Sequence, residues 1–141
     1  VLDWAARLHE IGLDISHDGY QRHGAYIAEH ADMPGFPRAE QRFLALLIGG
    51  QRHRISKAAF KVLPDGWQEP GLRLLMLLRL AVLLNRSRKE TEYPPVTLSV
   101  SGKHLTLVFD STWLSENPLT IADLEREQAF LSQVGYELHI A

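Results

Sequence analysis

The chain contains no cysteine, so disulfide bonds and thiol chemistry are excluded. It also lacks the glycine-rich phosphate loop of nucleotide-binding enzymes and the Gly-x-Ser-x-Gly turn that presents a nucleophilic serine. Its longest apolar stretch, residues 72–84, is too short to span a bilayer and contains Arg73 and Arg79, so it predicts a buried helix.

Positive charge is concentrated in the middle of the chain, although the formal net charge is only −2. Residues 42–89 contain ten Lys or Arg and two acids, a net of +8, whereas the rest contains five Lys or Arg and fifteen acids, a net of −10. This segregation predicts a local surface for a polyanion. A solvated basic face on amphipathic helices, with no ligand, is the alternative that the pattern leaves open.

Helical periodicity runs through the first two thirds of the chain, and strand alternation appears only after Tyr93-Pro94-Pro95. Ser56 and Thr120 are predicted helix caps, with Asp123 at a capping-box position. The predicted helices cover residues 1–11, 20–31, 38–52, 56–62, 72–87 and 120–134, and the predicted strands cover 96–101, 104–109 and 136–140.

The predicted fold is therefore mostly α with an α+β tail. A helical domain is expected at residues 1–92 and a small β-β-α-β module at residues 93–141. The composition, 45% hydrophobic and 23% charged, is typical of a soluble globular protein. Because the chain starts at Val1 and not at an initiator Met, we expect it to be a piece of a longer polypeptide.

Three histidines, His9, His23 and His53, fall on or beside separate predicted helices. If these helices converge, the imidazoles can form a metal pocket, for which zinc is the most suitable ion. Since the chain has seven histidines in 141 residues, partly buried and hydrogen-bonded histidines are the favoured interpretation, and a metal pocket is the alternative. The candidate fourth ligands are Glu10, Asp14 and Asp18.

The segment of residues 51–61 is basic and contains no acid. Arg54, Lys57 and Lys61 share a face if the segment is an α-helix. Arg binds phosphate oxygens in a bidentate manner and Lys adds a mobile charge, so a chain of phosphates is the predicted ligand. Nucleic acid is less favoured, because recognition motifs and interleaved aromatic residues are absent from this segment.

Several segments resemble the carboxy-terminal half of bacterial exopolyphosphatases and guanosine pentaphosphate phosphatases. They are residues 8–36, 46–54, 78–88, 101–109 and 135–140, of which 8–36 is the most specific. The resemblance implies an HD-like helical domain followed by a small α/β module. It also implies that catalysis and Mg²⁺ belong to a preceding actin-like domain, that this chain has no catalytic residue, and that it helps to form a homodimer.

By position in that family, His9, His23 and His53 stand where the histidines of an HD-type metal site stand, and Glu10 and Val82 replace its two aspartates. The resemblance thus implies a degenerate HD site that holds no metal, since histidines alone bind hard divalent ions poorly. The implied phosphate-chain site consists of Arg22, His23, Arg52, His53, Arg54 and Lys57, extended by Arg86 and Arg88.

We therefore expect the carboxy-terminal, non-catalytic region of an exopolyphosphatase, which binds inorganic polyphosphate and dimerises while the complete enzyme releases terminal orthophosphate. The alternatives are the same region of a guanosine pentaphosphate phosphatase, a nucleotide-sensing module, and a self-sufficient HD metal phosphohydrolase. Val82 argues against the last of these, because it stands in place of an aspartate that would bind the metal. The expected partners are polyphosphate or a guanosine polyphosphate, a second copy and the amino-terminal actin-like domain, without nucleic acid or a transmembrane segment. The expected location is cytoplasmic, with a membrane-peripheral one as the alternative.

Overall fold

A computed structural model describes residues 2–14, 19–87 and 96–141 of the protein. These residues group into two units, and the division falls between Arg79 and Leu80, within a long helix. The predicted domain boundary between residues 92 and 93 lies outside the described residues. The elements are α1 (Leu2–Leu8), α2 (Tyr20–His30), α3 (Arg38–Gly49), α4 (Gln68–Ser87), α5 (Ser111–Ser115) and α6 (Pro118–Ser132), 3-10 helices at Ile11–Asp14 and Lys57–Val62, and strands β1 (Val96–Ser101), β2 (His104–Phe109) and β3 (Glu137–Ile140).

The prediction of a mostly helical chain with an α+β tail is confirmed, because the three described strands all follow α4. β1 and β2 have the predicted bounds, and β3 begins one residue later than predicted. None of the helices described is long and apolar enough to cross a membrane. The narrower expectation of an HD-like domain stays a prediction.

The first helix is shorter than predicted because the chain bends to pack against α2. α1 ends at Leu8, and the 3-10 helix at Ile11–Asp14 follows a two-residue turn. A Cβ atom at Gly12 would lie 1.9 Å from the carbonyl oxygen of Tyr20, so this close approach requires glycine. The predicted continuation of the helix through residue 11 is therefore wrong, and His9 lies in the turn after α1.

Small residues let α2 and α3 pack closely in the first unit. Tyr20, Gly24 and Ala28 recur every four residues along one buried face of α2. A Cβ atom at Gly24 would lie 2.8 Å from Cγ2 of Ile48 on α3. The core of this unit is completed by Phe43, Leu44, Leu47, Phe60, Leu72, Leu75 and Met76.

The carboxyl end of α2 is capped by side chains of α3. The buried Nε2 of Gln41 lies within hydrogen-bonding distance of the carbonyl oxygens of Ala28 (2.9 Å), Glu29 (3.1 Å) and Ala31 (2.8 Å). Nη1 of Arg38 also donates to the Glu29 carbonyl, at 2.9 Å. These bonds satisfy carbonyl groups that a helix end leaves unpaired, so α3 fixes where α2 stops.

α3 ends at Gly49, three residues before its predicted end. A Cβ atom at Gly49 would lie 3.0 Å from Cβ of Ala25, and one at Gly50 would lie 3.0 Å from Cδ1 of Leu75. The two glycines therefore allow α2 and α4 to approach the end of α3. The chain leaves the helix at this contact and enters a turn.

The segment after this turn forms a 3-10 helix and not the predicted α-helix. Ser56 precedes it but makes no side-chain capping bond, so the predicted cap is wrong. A 3-10 helix has three residues per turn, and Arg54 lies before it begins. The prediction that Arg54, Lys57 and Lys61 share one α-helical face is therefore also wrong. α4 starts at Gln68, four residues earlier than predicted.

In the second unit the strand order is β1-β2-β3. β1 and β2 form an antiparallel hairpin closed by Gly102-Lys103, with Gly102 in the left-handed conformation (φ 58°) that such a turn needs. β3 pairs parallel to β2, and α5 and α6 lie in the connection between them. The module is thus β-β-α-α-β, since α5 was not predicted.

α6 begins two residues before its predicted start, and Asn117 occupies the N-cap position. Thr120 is buried inside the helix, so it is not the cap, and Asp123 instead forms an ion pair with Arg126. α6 packs against β3. The buried residues of this layer include Leu105, Leu107, Phe109, Leu124, Leu131, Tyr136 and Leu138.

Candidate functional site

The turn that follows α3, residues 50–54, is held from the inside by a buried arginine of α4. Arg79 is only 2% exposed. Its Nη1 donates to the carbonyl oxygen of Gly50 at 2.6 Å, and its Nη2 donates to the carbonyl oxygen of His53 at 2.7 Å. Charge-assisted bonds of this kind are among the stronger hydrogen bonds in proteins, so the guanidinium group fixes both ends of the turn.

A second buried side chain fixes the middle of the turn. Nε2 of Gln51 donates to the carbonyl oxygen of Ile48 at 2.9 Å and also to that of His9. His53 has a φ of 62°, in the left-handed region that non-glycine residues rarely adopt. The conformation of the turn is therefore determined by buried polar contacts and not by local preference.

The turn carries basic side chains at the surface. The guanidinium carbon of Arg52 lies 5.1 Å from the centre of the Tyr20 ring, a cation–π arrangement. His53 and Arg54 are exposed, as is Lys57 at the start of the 3-10 helix. The structure thus brings four of the predicted phosphate-binding residues onto one short segment whose backbone is fixed.

A cleft of about 530 Å³ lies beside this turn, between α2, α3, the second 3-10 helix and α4. Its volume is in the range of small-molecule sites. Arg42 and Arg54 line it together with one carboxylate, that of Glu29, and the hydroxyl-bearing Ser56. The apolar part of the lining includes Ala45, Leu46, Phe60 and Leu75.

Arg42 was not among the predicted site residues. It belongs to the same net-positive segment, and its place on the exposed side of a predicted amphipathic helix was the available signal. Its participation depends on the packing of α3 against neighbouring helices, which periodicity does not report. The cleft combines two arginines with an apolar wall, residue types suited to a ligand with phosphates and an uncharged portion.

The three histidines of the predicted HD-type site do not form a cluster of metal ligands among the residues that the structure describes. Nδ1 of His9 lies 2.6 Å from the carbonyl oxygen of Ala6, and its Nε2 lies 3.4 Å from Oε1 of Glu10. The imidazole of His9 therefore contacts its own segment. His23 is half-buried on α2, and His53 is exposed in the turn.

Val82, the other position of the predicted degenerate site, is a buried apolar residue of α4. The side chain of Asp14 and residue Asp18 fall outside the described part of the chain, so these candidate fourth ligands are not placed. The assignment of His9, Glu10, His23, His53 and Val82 to a degenerate HD site stays a prediction.

The remaining predicted basic residues are placed in part. Arg22 is exposed in the first turn of α2, two residues after Tyr20, whose ring contacts Arg52. The start of α2 thus adjoins the basic turn. The predicted extension to Arg86 and Arg88 falls on side chains outside those described.

Comparison with known proteins agrees with the family resemblance found in the sequence. A family model described as "Ppx/GppA phosphatase, domain III" matches residues 1–128. Curated proteins with the name guanosine-5'-triphosphate,3'-diphosphate pyrophosphatase are similar over 99% of the chain. They include those of Vibrio vulnificus (43% identical over 140 residues), Vibrio cholerae (39%) and Aliivibrio fischeri (36%). The chain spans 28% of the length of each of these relatives.

Proposed function

Because the chain belongs to the Ppx/GppA phosphatase family, we propose that it is the non-catalytic, phosphate-binding part of a phosphoanhydride hydrolase that acts on guanosine 5'-triphosphate 3'-diphosphate. The names of the similar curated proteins support this substrate. The guanosine nucleotide therefore becomes the first candidate ligand, although the sequence alone ranked it second to polyphosphate. The chain spans only 28% of those proteins, so the proposal assigns the chemistry to the rest of the enzyme.

The observation that carries this proposal is the fixed basic turn beside the cleft. Arg79 and Gln51 hold the turn, and Arg54 lines the cleft together with Arg42. A binding site works best when its donors are held in place before the ligand arrives, because less side-chain and backbone freedom is lost on binding. Phosphates would contact the guanidinium groups, and the nucleoside would lie against the apolar wall.

The cleft is better suited to binding than to hydrolysis. Hydrolysis of a phosphoanhydride needs a positioned water and positive charge, usually from a metal ion, around the transferred group. Glu29 is the one carboxylate among the residues that line the cleft, and the other charged groups there are Arg42 and Arg54. We therefore place the Mg²⁺ and the catalytic carboxylates of the enzyme in its amino-terminal domain.

Inorganic polyphosphate is the second candidate ligand, and the distribution of charge along residues 51–61 favours it. Arg52, His53 and Lys57 lie outside the cleft lining, and no acid interrupts them. A long phosphate chain would contact these groups as well as Arg54, whereas a single nucleotide would use fewer of them. Many weak contacts to one polymer give an affinity that rises with its length.

We also propose, from the family resemblance, that the complete enzyme is a homodimer and that it is located in the cytoplasm.

Titration of the 141-residue chain with guanosine pentaphosphate, and with short and long polyphosphate, tests both candidates. We expect Arg54→Gln to weaken binding by about ten- to a hundredfold, because it removes a charge-assisted contact of about 1.5–3 kcal/mol. Arg73→Gln is the matched control, since Arg73 is exposed on α4 and does not line the cleft. Equal affinities of the two variants would contradict a site at the turn.

The ligand series separates the two candidates. Saturation by one guanosine pentaphosphate, tighter than by polyphosphate of any length, supports the first. Affinity that rises steadily with polyphosphate length and falls steeply with salt supports the second, since exposed charges are screened. Failure of both ligands to bind the wild-type chain removes the phosphate-binding role.

A further inference from the structure

Two histidines and a glutamate form a compact cluster on the outer face of the second unit's sheet. The ligand-type atoms are Nδ1 of His104, Oε2 of Glu137 and Nε2 of His139. The distance from Oε2 to Nδ1 is 3.2 Å, that from Oε2 to Nε2 is 3.5 Å, and the two ring nitrogens are 3.5 Å apart. All three side chains are more than half exposed, so an ion from solution can reach them.

Strand register brings these residues together. His104 on β2 is the direct partner of Glu137 on β3, and His139 follows two residues later on the same face of β3. The alternate residues Leu105 and Leu138 are buried on the opposite face. The cluster is therefore fixed by the sheet itself and does not depend on a flexible loop.

We propose that His104, Glu137 and His139 bind a Zn²⁺ ion through these three atoms. Zinc accepts imidazole nitrogen and carboxylate oxygen at about 2.0–2.2 Å, and a tetrahedron of that size has edges of about 3.3–3.6 Å. The three observed separations, 3.2, 3.5 and 3.5 Å, are those of one tetrahedral face. An octahedral Mg²⁺ site would have edges of about 2.9 Å and oxygen ligands, so the geometry and the donors both favour zinc.

A plain ion pair is the competing explanation of the cluster. In that case ring N–H groups would donate to the shared carboxylate or to the other ring, and hydrogen bonds alone would join the three atoms. A divalent ion between the three atoms would instead accept a lone pair from each of them, because metal binding takes deprotonated ligands.

The position of the site gives it a structural consequence. β3 lies at the edge of the sheet, is four residues long and pairs only with β2 among the described strands. A zinc ion would cross-link the start of β2 to β3. Its binding free energy would therefore stabilise the edge strand. Three protein ligands leave a fourth coordination position, which we assign to water.

Zinc titration of the metal-free 141-residue chain tests the site, with His104→Gln, Glu137→Gln and His139→Gln as variants and His30→Gln as the control. His30 is exposed on α2 and lies outside the cluster. We expect one zinc per wild-type and control chain, at least about tenfold weaker binding in each cluster variant, and no comparable binding of Mg²⁺. Because the mutated positions are exposed, the circular dichroism spectra of all variants should match that of the wild type.

Hydrogen exchange supplies a readout that an adventitious surface ion would not change. Zinc should slow exchange of the amides of residues 137–140 in the wild type and in His30→Gln, but not in His139→Gln. Wild-type affinity no greater than that of His139→Gln, or unchanged exchange in β3 at saturating zinc, would overturn the proposal and leave an ion pair in its place.

Discussion

The two units use their polar side chains in opposite ways. In the first, Arg79 and Gln51 are buried and donate to backbone carbonyls, which fixes the shape of an exposed basic turn. In the second, His104, Glu137 and His139 stand on the surface, and the backbone positions them. Substitution of the buried groups should therefore affect stability and binding together, whereas substitution of the exposed groups should leave the stability of the metal-free chain unchanged.

The two segments that carry these features also differ in the sign of their net charge. Residues 42–79 contain seven Lys or Arg and two acids, whereas residues 96–141 contain two Lys or Arg and six acids. The first segment suits a polyanion and the second a cation. The two proposals thus assign ligands of opposite charge to different parts of the chain.

Gly12→Ala should produce the largest effect, because it opposes backbone packing in the first unit. The added Cβ would lie 1.9 Å from a backbone oxygen of α2, which cannot be relieved by moving a side chain. We expect the free energy of unfolding to fall by about 3 kcal/mol or more, measured by chemical denaturation. Gly71→Ala is the control, since its nearest neighbours are side-chain atoms at 3.3 Å or more. A similar loss in both variants would contradict the importance of the Gly12 contact.

Arg79→Met should have the next largest effect, since it removes the donors to two carbonyl groups of the basic turn. The expected loss of stability is about 2–4 kcal/mol, because two part-buried, charge-assisted hydrogen bonds would be lost. Hydrogen exchange of residues 50–54 should accelerate at the same time. Arg73→Met, on the exposed side of the same helix, should change stability by less than about 0.5 kcal/mol. Unchanged exchange in the turn would refute the role given to Arg79.

Among the three test variants, Asp110→Ala should have the smallest effect, and it tests the second unit. The Asp110 carboxylate accepts a hydrogen bond from the backbone N–H of Thr112 at 2.8 Å and caps α5. We expect a loss of about 1 kcal/mol in the free energy of unfolding. Asp123→Ala, which removes a surface ion pair with Arg126, should cost only about 0.2–0.5 kcal/mol. The reverse order would show that the cap contributes less than the ion pair.

The fold was most predictable where neighbours along the chain decide the structure. β1 and β2 have their predicted bounds because alternating residues flank a Gly102-Lys103 turn. Prediction failed where distant contacts decide. The first helix stops early because Gly12 packs on α2, a contact that local preference does not contain. The wrong cap at Thr120 has a local cause instead, because Asn117 takes the N-cap position and Pro118 the first position of α6.

In the candidate site, too, the features set by the local sequence were predicted and those set by distant contacts were missed. The basic segment of residues 51–61 is visible in the composition, and its residues do lie on an exposed turn and a short helix. The buried Arg79, which holds that turn from 26 or more residues away in sequence, was predicted only as part of a buried helix. The cluster at His104 needed the parallel register of β2 with β3, although the spacing of Glu137 and His139 already places both on one strand face.

The parallel pairing of β2 with β3 also sets an order for assembly of the second unit. The β1–β2 hairpin closes over a two-residue turn, whereas β3 reaches β2 only after two intervening helices. Contacts of short sequence separation form sooner than those that close long loops. During synthesis the hairpin can therefore form early, while β2 keeps an unpaired edge until residues 137–140 emerge from the ribosome.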